Sequence, residues 1–314
     1  MTSKIAFLFP GQGSQSVGML NGFKSSPNTA ALSQQLLDRA NKALGENIDA
    51  LIAEGPADAL NLTVNTQPAM LLADVLVFEA WKAAGGPLPA MVAGHSLGEY
   101  AALVAAGVIA LEDGLQTVRV RAKAMQEAVP VGQGGMAAVL GLTDDQVRQA
   151  CEAGSVNGEI AEAVNFNAPS QVVIAGSAAG VKAACEAAKA LGAKRALELP
   201  VSAPFHSSLM KPASAALAAH LSTVQFQSPQ VPVFNNIDVA VETEPKRIAD
   251  ALVRQAYGPV RWVETIVAME KAGATLFVEC GPGKVLSGLV KRISEVPVVN
   301  VNDPDSLAAA LATL

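Results

Sequence analysis

The stretch Met91-Val92-Ala93-Gly94-His95-Ser96-Leu97-Gly98-Glu99-Tyr100 decides most of what the sequence predicts about the fold. It fits Gly-x-Ser-x-Gly, with an apolar strand candidate before it (90–93) and a helix candidate rich in small residues after it (99–106). A serine on such a strand-to-helix turn projects its hydroxyl outward, and the glycines permit a strained backbone and close packing. Free N–H groups of the following helix can stabilise an oxyanion. The pattern predicts that Ser96 is a nucleophile; the alternative is a turn whose serine only caps the helix.

The composition is that of a compact, well-buried globular protein. Of its 314 residues, 51% are hydrophobic and 16% are charged, which fits one large α/β domain or a large and a small one. A formal net charge of −6 and the lack of a basic run argue against nucleic-acid binding. No apolar run reaches the roughly 18 residues that span a membrane, and the apolar stretch 5–9 is too short for the core of a signal peptide. We therefore expect a cytoplasmic monomer with no membrane or nucleic-acid partner.

The three cysteines, Cys151, Cys185 and Cys280, are far apart in the sequence and form no Cys-x-x-Cys pair. An odd number at such spacing predicts neither a disulfide framework nor a zinc site. We expect a reducing environment and no bound metal.

Strands and helices alternate along the first part of the chain. The segment 5–9 reads as a strand that runs into the glycine loop 10–15, and helices are predicted at 29–44, 67–83 and 111–128. This alternation predicts a mostly parallel sheet, whose functional sites lie beyond the carboxyl ends of the strands. Both Gln12 and Ser96 occupy such a position.

A second unit follows the glycine-rich stretch 131–135. The predicted elements are a strand (136–140), a helix (143–153), two strands (161–166 and 171–175), a helix (178–191) and a strand (194–199). This β-α-β-β-α-β order is that of a ferredoxin-like fold. We therefore predict a small subdomain at 131–198, inserted into a large domain made of 1–130 and 199–314.

Elimination among three histidines yields a candidate base for Ser96. His95 is adjacent to the serine, where side chains of an extended turn point apart, and His220 lies in an alanine-rich helical segment. His206 lies in a loop just before a helix, where the chain re-enters the large domain, and could take the serine proton. The alternative is a histidine at a helix N-terminus with no partner.

Arg121 is a candidate anion site in the predicted helix 111–128. At 100° per residue, Leu111, Leu115, Val118, Ala122 and Met125 share one face, and Arg121 falls at its edge. A half-buried guanidinium needs an anion, because an unpaired buried charge is costly. The partner is either a structural carboxylate or a substrate carboxylate held bidentately, and the spacing does not separate the two.

Together these motifs resemble the malonyl-CoA:acyl carrier protein transacylases of type II fatty-acid synthesis and the related acyltransferase domains of polyketide synthases. The matching stretches, spread over about residues 4–293, are Phe9–Gln15, Gly94–Tyr100, the helix with Arg121, Asn167–Gly176, Phe205-His206, Val253-Arg254-Gln255 and Gly281–Lys284. Several spaced motifs agree in order, so the resemblance is specific.

The resemblance implies an α/β-hydrolase-like large domain with the ferredoxin-like insertion, and a site between them. It implies that Ser96 is acylated, that His206 is the base, and that Arg121 binds the malonyl carboxylate. The backbone N–H groups of Gln12 and Leu97 would form the oxyanion hole.

Gln255, or its carbonyl, would orient His206 in place of the usual triad acid. The implied reaction is ping-pong transfer of malonyl from malonyl-CoA, a substrate, to the phosphopantetheine thiol of holo acyl carrier protein, with no cofactor. Since that carrier is acidic, we expect it near the basic residues Lys182, Lys189, Lys194 and Arg195, or near Lys284, Lys291 and Arg292. Phe205 departs from family members with a small residue there and would favour malonyl over bulkier methylmalonyl.

Three other functions are weighed against this one. A serine hydrolase could use the same turn, but such folds place their histidine late in the chain, and none follows His220. A nucleotide-binding module could use Gly11-Gln12-Gly13, but position 16 is Ser16 and the third glycine is missing. A silent carrier-binding scaffold would not need Ser96.

Overall fold

The computed structural model describes residues 4–201 and 203–314. In these residues the strands are β1 (Ile5–Phe9), β2 (Met91–Gly94), β3 (Gly134–Leu140), β4 (Ala161–Ala168), β5 (Gln171–Ser177), β6 (Arg195–Glu198), β7 (Val233–Phe234), β8 (Leu276–Cys280) and β9 (Val298–Val301). The helices of the first part are α1 (Asn21–Ser25), α2 (Ala30–Leu44), α3 (Ile48–Glu54), α4 (Ala57–Leu60), α5 (Thr63–Ala83), α6 (Gly98–Ala105), α7 (Leu111–Glu127), α8 (Asp144–Gly154) and α9 (Ala178–Ala190). A short 3₁₀ turn at Ser208–Met210 then precedes α10 (Lys211–Leu221), α11 (Pro245–Gln255), α12 (Trp262–Lys271), α13 (Val285–Val290) and α14 (Pro304–Leu311).

The large sheet has five parallel strands in the order β7-β2-β1-β8-β9. Strand β1 is central, and all five of its residues are buried, as expected for a strand covered on both faces. Its register pairs Phe9 with Gly94, so the chain leaves β1 and β2 side by side at the same sheet edge. This edge brings the glycine loop after β1 next to the serine turn after β2.

Two apolar layers cover the large sheet. One is built around α5 and α7 and contains Phe7, Phe78 and Trp81, whose rings meet edge to face. The other contains Trp262 and Phe277 and is built around α12 and α13. A sheet enclosed by helices in this way is the α/β architecture that the alternating pattern predicted.

The small sheet is antiparallel, with the order β4-β5-β3-β6. One face packs on α8 and α9 through residues such as Val147, Ile174 and Val181. The opposite face carries Met136 and Val173, which pack with the segment that leads back to the large sheet. The predicted fold class, a mostly parallel α/β unit with a ferredoxin-like insertion, is confirmed; the exact domain limits, 1–130, 131–198 and 199–314, stay a prediction.

Helix α5 is longer than the sequence predicted. It begins at Thr63 instead of residue 67 and carries Pro68 inside it. Its first turn is tied down by side chains: Asn65 Nδ2 donates to the Ala59 carbonyl at 2.9 Å, and Thr66 Oγ1 donates to the Leu60 carbonyl at 2.6 Å. These bonds hold the turn before Pro68, which lacks the N–H that would otherwise donate to the Val64 carbonyl.

Over residues 4–201 and 203–314, no helix is both long enough and apolar enough to cross a membrane.

Candidate active site

Ser96 lies on the tight turn between β2 and α6, with a positive φ of 52°. The two glycines of the motif make this turn possible. A Cβ on Gly94 would lie 1.9 Å from the Gly98 carbonyl carbon, and one on Gly98 would lie 2.0 Å from the Phe9 carbonyl oxygen. Positive φ at a non-glycine residue is strained, and such strain is typical of functional turns. The turn is therefore held by close packing on both sides.

Asn236, which follows β7, braces the same turn. Its Oδ1 accepts a hydrogen bond from the Ser96 N–H at 2.6 Å, and its Nδ2 donates to the Gly94 carbonyl at 2.7 Å. The residue is fully buried. No sequence motif pointed to Asn236; its position two residues beyond the apolar stretch 231–234, at a strand's carboxyl end, was the available signal.

His206 contacts the nucleophile directly, with Nε2 2.6 Å from Ser96 Oγ. Its Nδ1 lies 2.9 Å from the carbonyl oxygen of Gln255 and donates to it when Nε2 is the acceptor nitrogen. Burial, and then the nearby charge of Arg121, lower the pKa of His206 to about 3. The imidazole is neutral at pH 7 and can accept a proton from the serine.

The other two histidines have different partners. His95 Nε2 is 2.7 Å from Asn167 Oδ1, and its ring meets Trp262 at 5.3 Å between centroids. His220 Nε2 is 3.1 Å from Thr117 Oγ1. Neither ring has a described contact with Ser96, so the histidine chosen by elimination is the one that the fold brings to the serine.

Arg121 is almost fully buried, at 3% exposure, and its guanidinium also reaches the nucleophile. One nitrogen donates to Ser96 Oγ at 3.1 Å and to Gln255 Oε1 at 3.1 Å, and the other donates to Gln67 Oε1 at 2.8 Å. Among the described residues, Arg121 forms no ion pair. The sequence left two partners open for Arg121, a structural carboxylate and a substrate carboxylate. No structural carboxylate of the described residues is bonded to it.

Gln255 connects these groups. Its side-chain Nε2 donates to the Ser96 carbonyl at 2.9 Å and to Glu99 Oε2 at 3.0 Å, while its Oε1 accepts from Arg121. Its backbone carbonyl faces His206. One buried residue thus contacts the base, the nucleophile and the cation, through both side chain and main chain.

The amides of Gln12 and Leu97 lie on the two adjacent loops after β1 and β2. Within the described part of the chain, neither N–H has a hydrogen-bond partner, whereas the neighbouring Ser96 and Gly98 amides are bonded to Asn236 Oδ1 and the His95 carbonyl. The Gln12 side chain is fixed by Thr63, to which its Nε2 donates at 3.1 Å. Free amides beside a nucleophile are the groups from which an oxyanion hole is built.

A cavity of about 240 Å³ opens onto Ser96 between the two sheets. Its polar wall includes Gln12, Ser96 and Arg121, and its other wall comes from the small sheet and the segment after it. The residues of that second wall are Met136, Asn165, Asn167, Val173, Leu199, Val201 and Phe205, with Val285, Leu286 and Leu289 of α13 at a further side. The cavity thus presents a nucleophile, a neutral base, free amides and one unpaired buried cation to a ligand.

The structure brings Ser96, His206, Arg121 and Gln255 into one hydrogen-bonded group, with the Gln12 and Leu97 amides beside it. Their catalytic and binding roles stay predictions. In the described residues, no cluster of three or more His, Cys, Asp or Glu side chains is arranged to hold a metal ion. The expectation that no cofactor is needed also stays a prediction.

Comparison with known proteins places this geometry in a family. The family model for the acyl transferase domain matches residues 6–302. The malonyl CoA-acyl carrier protein transacylase of Escherichia coli (strain K12) is 50% identical over 310 residues, covering 98% of this chain and 99% of that protein.

Solved structures agree with this match. The acyl-carrier-protein S-malonyltransferase of Burkholderia pseudomallei 1710b is 60% identical, with a TM-score of 0.95 over 98% of this chain and 99% of that one. A malonyl-transacylase in complex with its type II polyketide acyl-carrier protein is 46% identical, with a TM-score of 0.96 over 99% of this chain and 100% of that one. Identity at this level over nearly the whole length shows shared family as well as shared fold. The chain therefore belongs to the malonyl-CoA:acyl carrier protein transacylase family of acyl transferases.

Proposed function

We propose that the chain transfers a malonyl group from malonyl-CoA to the phosphopantetheine thiol of holo acyl carrier protein by ping-pong catalysis through malonyl-Ser96, for fatty-acid biosynthesis. The observation that carries the proposal is the position of Arg121. This buried cation donates to Ser96 Oγ at 3.1 Å and has no ion pair in the part of the chain that the structure describes. A group esterified to this serine lies next to the guanidinium. Malonyl is short and carries a carboxylate at its far end, so it can form an ester with Ser96 and an ion pair with Arg121 at the same time.

In the first half-reaction, Ser96 Oγ attacks the thioester carbon of malonyl-CoA. His206 Nε2 takes the hydroxyl proton, and the Gln255 carbonyl holds the Nδ1–H that orients the ring. The free amides of Gln12 and Leu97 bind the oxyanion of the tetrahedral intermediate. The carbon–sulfur bond then breaks, the proton passes from His206 to the sulfur, and CoA leaves with its thiol restored.

In the second half-reaction, the thiol of the carrier's phosphopantetheine arm attacks the ester of malonyl-Ser96. His206 accepts the thiol proton and returns it to Ser96 Oγ as the ester bond breaks. The enzyme is regenerated, and no net proton is consumed. The same base and the same amides serve both half-reactions, because the first converts a thioester into an ester and the second converts that ester back into a thioester.

Arg121 gives the reaction its selectivity. A carboxylate that binds the guanidinium replaces the contact with Ser96 Oγ and gains a charge-assisted, bidentate pair. Gln67 Oε1 and Gln255 Oε1 each accept one hydrogen bond from the guanidinium, so the cation is fixed in place before substrate arrives. An acetyl group offers no anion and leaves the buried charge unpaired, which disfavours it.

We place the carrier protein at α13, the second of the two basic regions considered. Lys284 and Lys291 are exposed at the two ends of this helix, and Val285 and Leu289 of the same helix line the cavity. Arg292 is held by the Gln171 side chain and by the Pro169 carbonyl, so it is less free to meet a partner. An acidic carrier that docks there would direct its flexible arm into the cavity.

The protein is further proposed to act in the cytoplasm as a monomer without a cofactor, with no membrane or nucleic-acid partner. Size-exclusion chromatography with light scattering of the purified chain would test the monomer. Activity after exhaustive dialysis against a chelator would test the lack of a metal or other dissociable group.

Intact-protein mass spectrometry after brief exposure to a panel of acyl-CoAs tests the proposal. We expect a mass increase of one malonyl group with malonyl-CoA and little with acetyl-CoA, and loss of the adduct when holo carrier protein is added. Free malonate would be the product of a hydrolase, so its rapid release without carrier protein would contradict transfer. Absence of any malonyl adduct on the wild-type protein would contradict the covalent mechanism.

A further inference from the structure

Glu99 is a buried acid directly behind the reactive serine that the transfer mechanism does not use. It lies in the first turn of α6 and is 2% exposed. Its Oε2 accepts two hydrogen bonds, from the Asn236 N–H at 2.9 Å and from Gln255 Nε2 at 3.0 Å. Among residues 4–201 and 203–314, it forms no ion pair with a basic side chain. It therefore contacts the two residues that brace Ser96.

A small second cavity adjoins Glu99 and shares no lining residue with the active-site cavity. It has a volume of about 10 Å³ and is lined by Glu99, Leu103, Val233, Asn235, Glu242, Ile248 and Ala251. That volume suits a single water molecule. The Asn235 Nδ2 is buried and has no hydrogen-bond partner within residues 4–201 and 203–314, so a polar group is available to hold such a water.

The same cavity gives Glu99 a route to solvent. Glu242, on its lining, has a side chain that is 20% exposed and is paired with Arg247 at 3.4 Å. A proton can pass between bulk water and Glu99 through one water and the outer carboxylate. The active-site cavity is not needed for this exchange, because Glu99 does not line it.

Four charged or titratable groups of the described chain lie around Glu99. Arg121 on α7 favours its ionised form, and Asp238, after β7, disfavours it. Tyr100 is its neighbour on α6, and Glu242 faces it across the small cavity. Burial is the largest effect and raises the pKa of Glu99 to about 7, so small changes in the surrounding charge alter its protonation.

We propose that Glu99 is a proton-coupled counter-charge to Arg121, which takes up a proton through the Asn235–Glu242 cavity when a malonyl carboxylate binds and releases it when malonyl leaves. The inference rests on the proposed function, because it needs an anion on Arg121. That anion cancels the positive charge that favours ionised Glu99, and a buried carboxylate without a counter-charge is costly.

The proton balance is simple. One proton from solvent forms an O–H bond on Glu99 Oε1, and it returns to solvent after transfer to the carrier. Oε2 keeps both of its hydrogen bonds, so Gln255 and Asn236 stay oriented in both protonation states. Glu99 acts through these residues and touches no reacting atom, so it is a positioning residue.

Proton uptake during malonyl loading tests the proposal. The wild-type protein is mixed with equimolar malonyl-CoA in weak buffer with a pH indicator, and malonyl-Ser96 is quantified by mass spectrometry. Because free Glu99 is about half protonated at pH 7, we expect uptake of up to roughly half a proton per malonyl group there, a larger fraction just above pH 7, and none well below pH 7, where the group is already protonated. Glu99→Gln, an isosteric neutral variant, should show no uptake when its signal is divided by the malonyl loaded.

The outcomes separate this inference from the proposed function. Malonyl-loaded wild-type protein with no proton uptake at any pH would overturn it, and so would equal uptake in Glu99→Gln. If that variant does not fold, the pH dependence of the wild-type signal alone decides. Failure of malonyl to load on wild-type protein would instead contradict the proposed function. Ionisation of released CoA is common to both proteins and cancels in the comparison.

Discussion

The two walls of the active-site cavity differ in kind. The wall formed by the large parallel sheet and its helices carries Ser96 and Arg121, and His206, at the end of the segment that returns from the small sheet, joins them by a direct hydrogen bond to Ser96. The wall formed by the small sheet and the segment after it is mostly apolar, with Met136 and Val173 as its buried side chains. One wall holds reactive groups in fixed positions, and the other encloses space.

The difference follows from sheet geometry. Parallel strands all end at the same edge, so residues far apart in sequence converge there, as Ser96 and Asn236 do after β2 and β7. An antiparallel sheet instead presents alternate residues on one face, which suits an apolar cover that excludes water and shapes the ligand. Substitutions in the first wall should therefore change the rate, and at Arg121 also the preference for a charged acyl group. Substitutions in the second wall should change which size of acyl group is accepted.

Replacing the nucleophile should have the largest effect. Ser96→Ala removes the only oxygen that can carry malonyl in this mechanism, so the transfer rate should fall by on the order of 10⁴-fold or more. The measurement is transfer of radiolabelled malonyl to carrier protein, with Ser222→Ala, an exposed serine after α10, as the control. Full activity in Ser96→Ala would mean that transfer does not pass through this residue.

Loss of the base should rank second. His206→Ala leaves Ser96 without a proton acceptor and should slow transfer by roughly 10²- to 10⁴-fold. The steady-state rate and the burst of CoA release would both report it. A matched His95→Ala variant should retain far more activity, because His95 contacts Asn167 and Trp262 instead of the serine.

The pH dependence of CoA release gives a second test of His206 as the base. Since the pKa of His206 is lowered to about 3, CoA release should not fall as pH decreases through 6.5, where an ordinary histidine becomes charged. The contribution of His206 to the free energy of unfolding should decline from pH 6.5 towards about 3, because only the unfolded chain binds the proton there. A fall in the rate of the CoA burst centred near pH 6.5 would contradict the assignment, if the same fall is also seen after His95 or His220 is replaced.

Loss of the cation should be smaller and selective. Arg121→Ala removes one charge-assisted contact to the malonyl carboxylate. The activation free energy with malonyl-CoA should rise by about 2 kcal/mol, which lowers kcat/KM roughly 30-fold. The kcat/KM for acetyl-CoA should change less, so the preference for malonyl over acetyl becomes smaller. Arg119→Ala is a matched control on the same helix, since Arg119 pairs with Glu46 away from the cavity. An unchanged ratio of malonyl to acetyl transfer would remove Arg121 from substrate recognition.

The smallest effect is expected on the apolar wall. Phe205→Ala enlarges the cavity and should raise transfer of methylmalonyl relative to malonyl by about tenfold or less, with little change in malonyl transfer. Competition between the two acyl-CoAs, read by mass spectrometry, would measure it. A large loss of malonyl transfer would instead mean that this wall also positions the reacting groups.

Local patterns were enough to predict several features. The Gly-x-Ser-x-Gly turn identified Ser96, because a strand-to-helix turn of this kind needs glycine on both sides. The number of histidines was small enough for elimination to reach His206. The β-α-β-β-α-β order predicted the small sheet, since each of its elements has a clear period and turn.

Other features depend on contacts between distant residues. Strand β7 has only two residues, Val233 and Phe234, too few for a periodic signal, so Asn236 was missed. The bonds from Gln67 and Gln255 to Arg121 join segments 54 and 134 positions away. No local pattern determines which buried amide will accept from a given guanidinium.

The sequence alone predicted Ser96, His206 and Arg121 as site residues, and the order of the two units, because these predictions depend on residue type and local spacing. Only the tertiary structure decided that Arg121 has no carboxylate partner among the described residues, that the Gln255 carbonyl faces His206, and that Glu99 lies between Asn236 and Gln255. The physical reason is that charge pairing and burial depend on which surfaces pack together. Packing is set by the whole sheet, and the segments that meet at its edge are far apart in the chain.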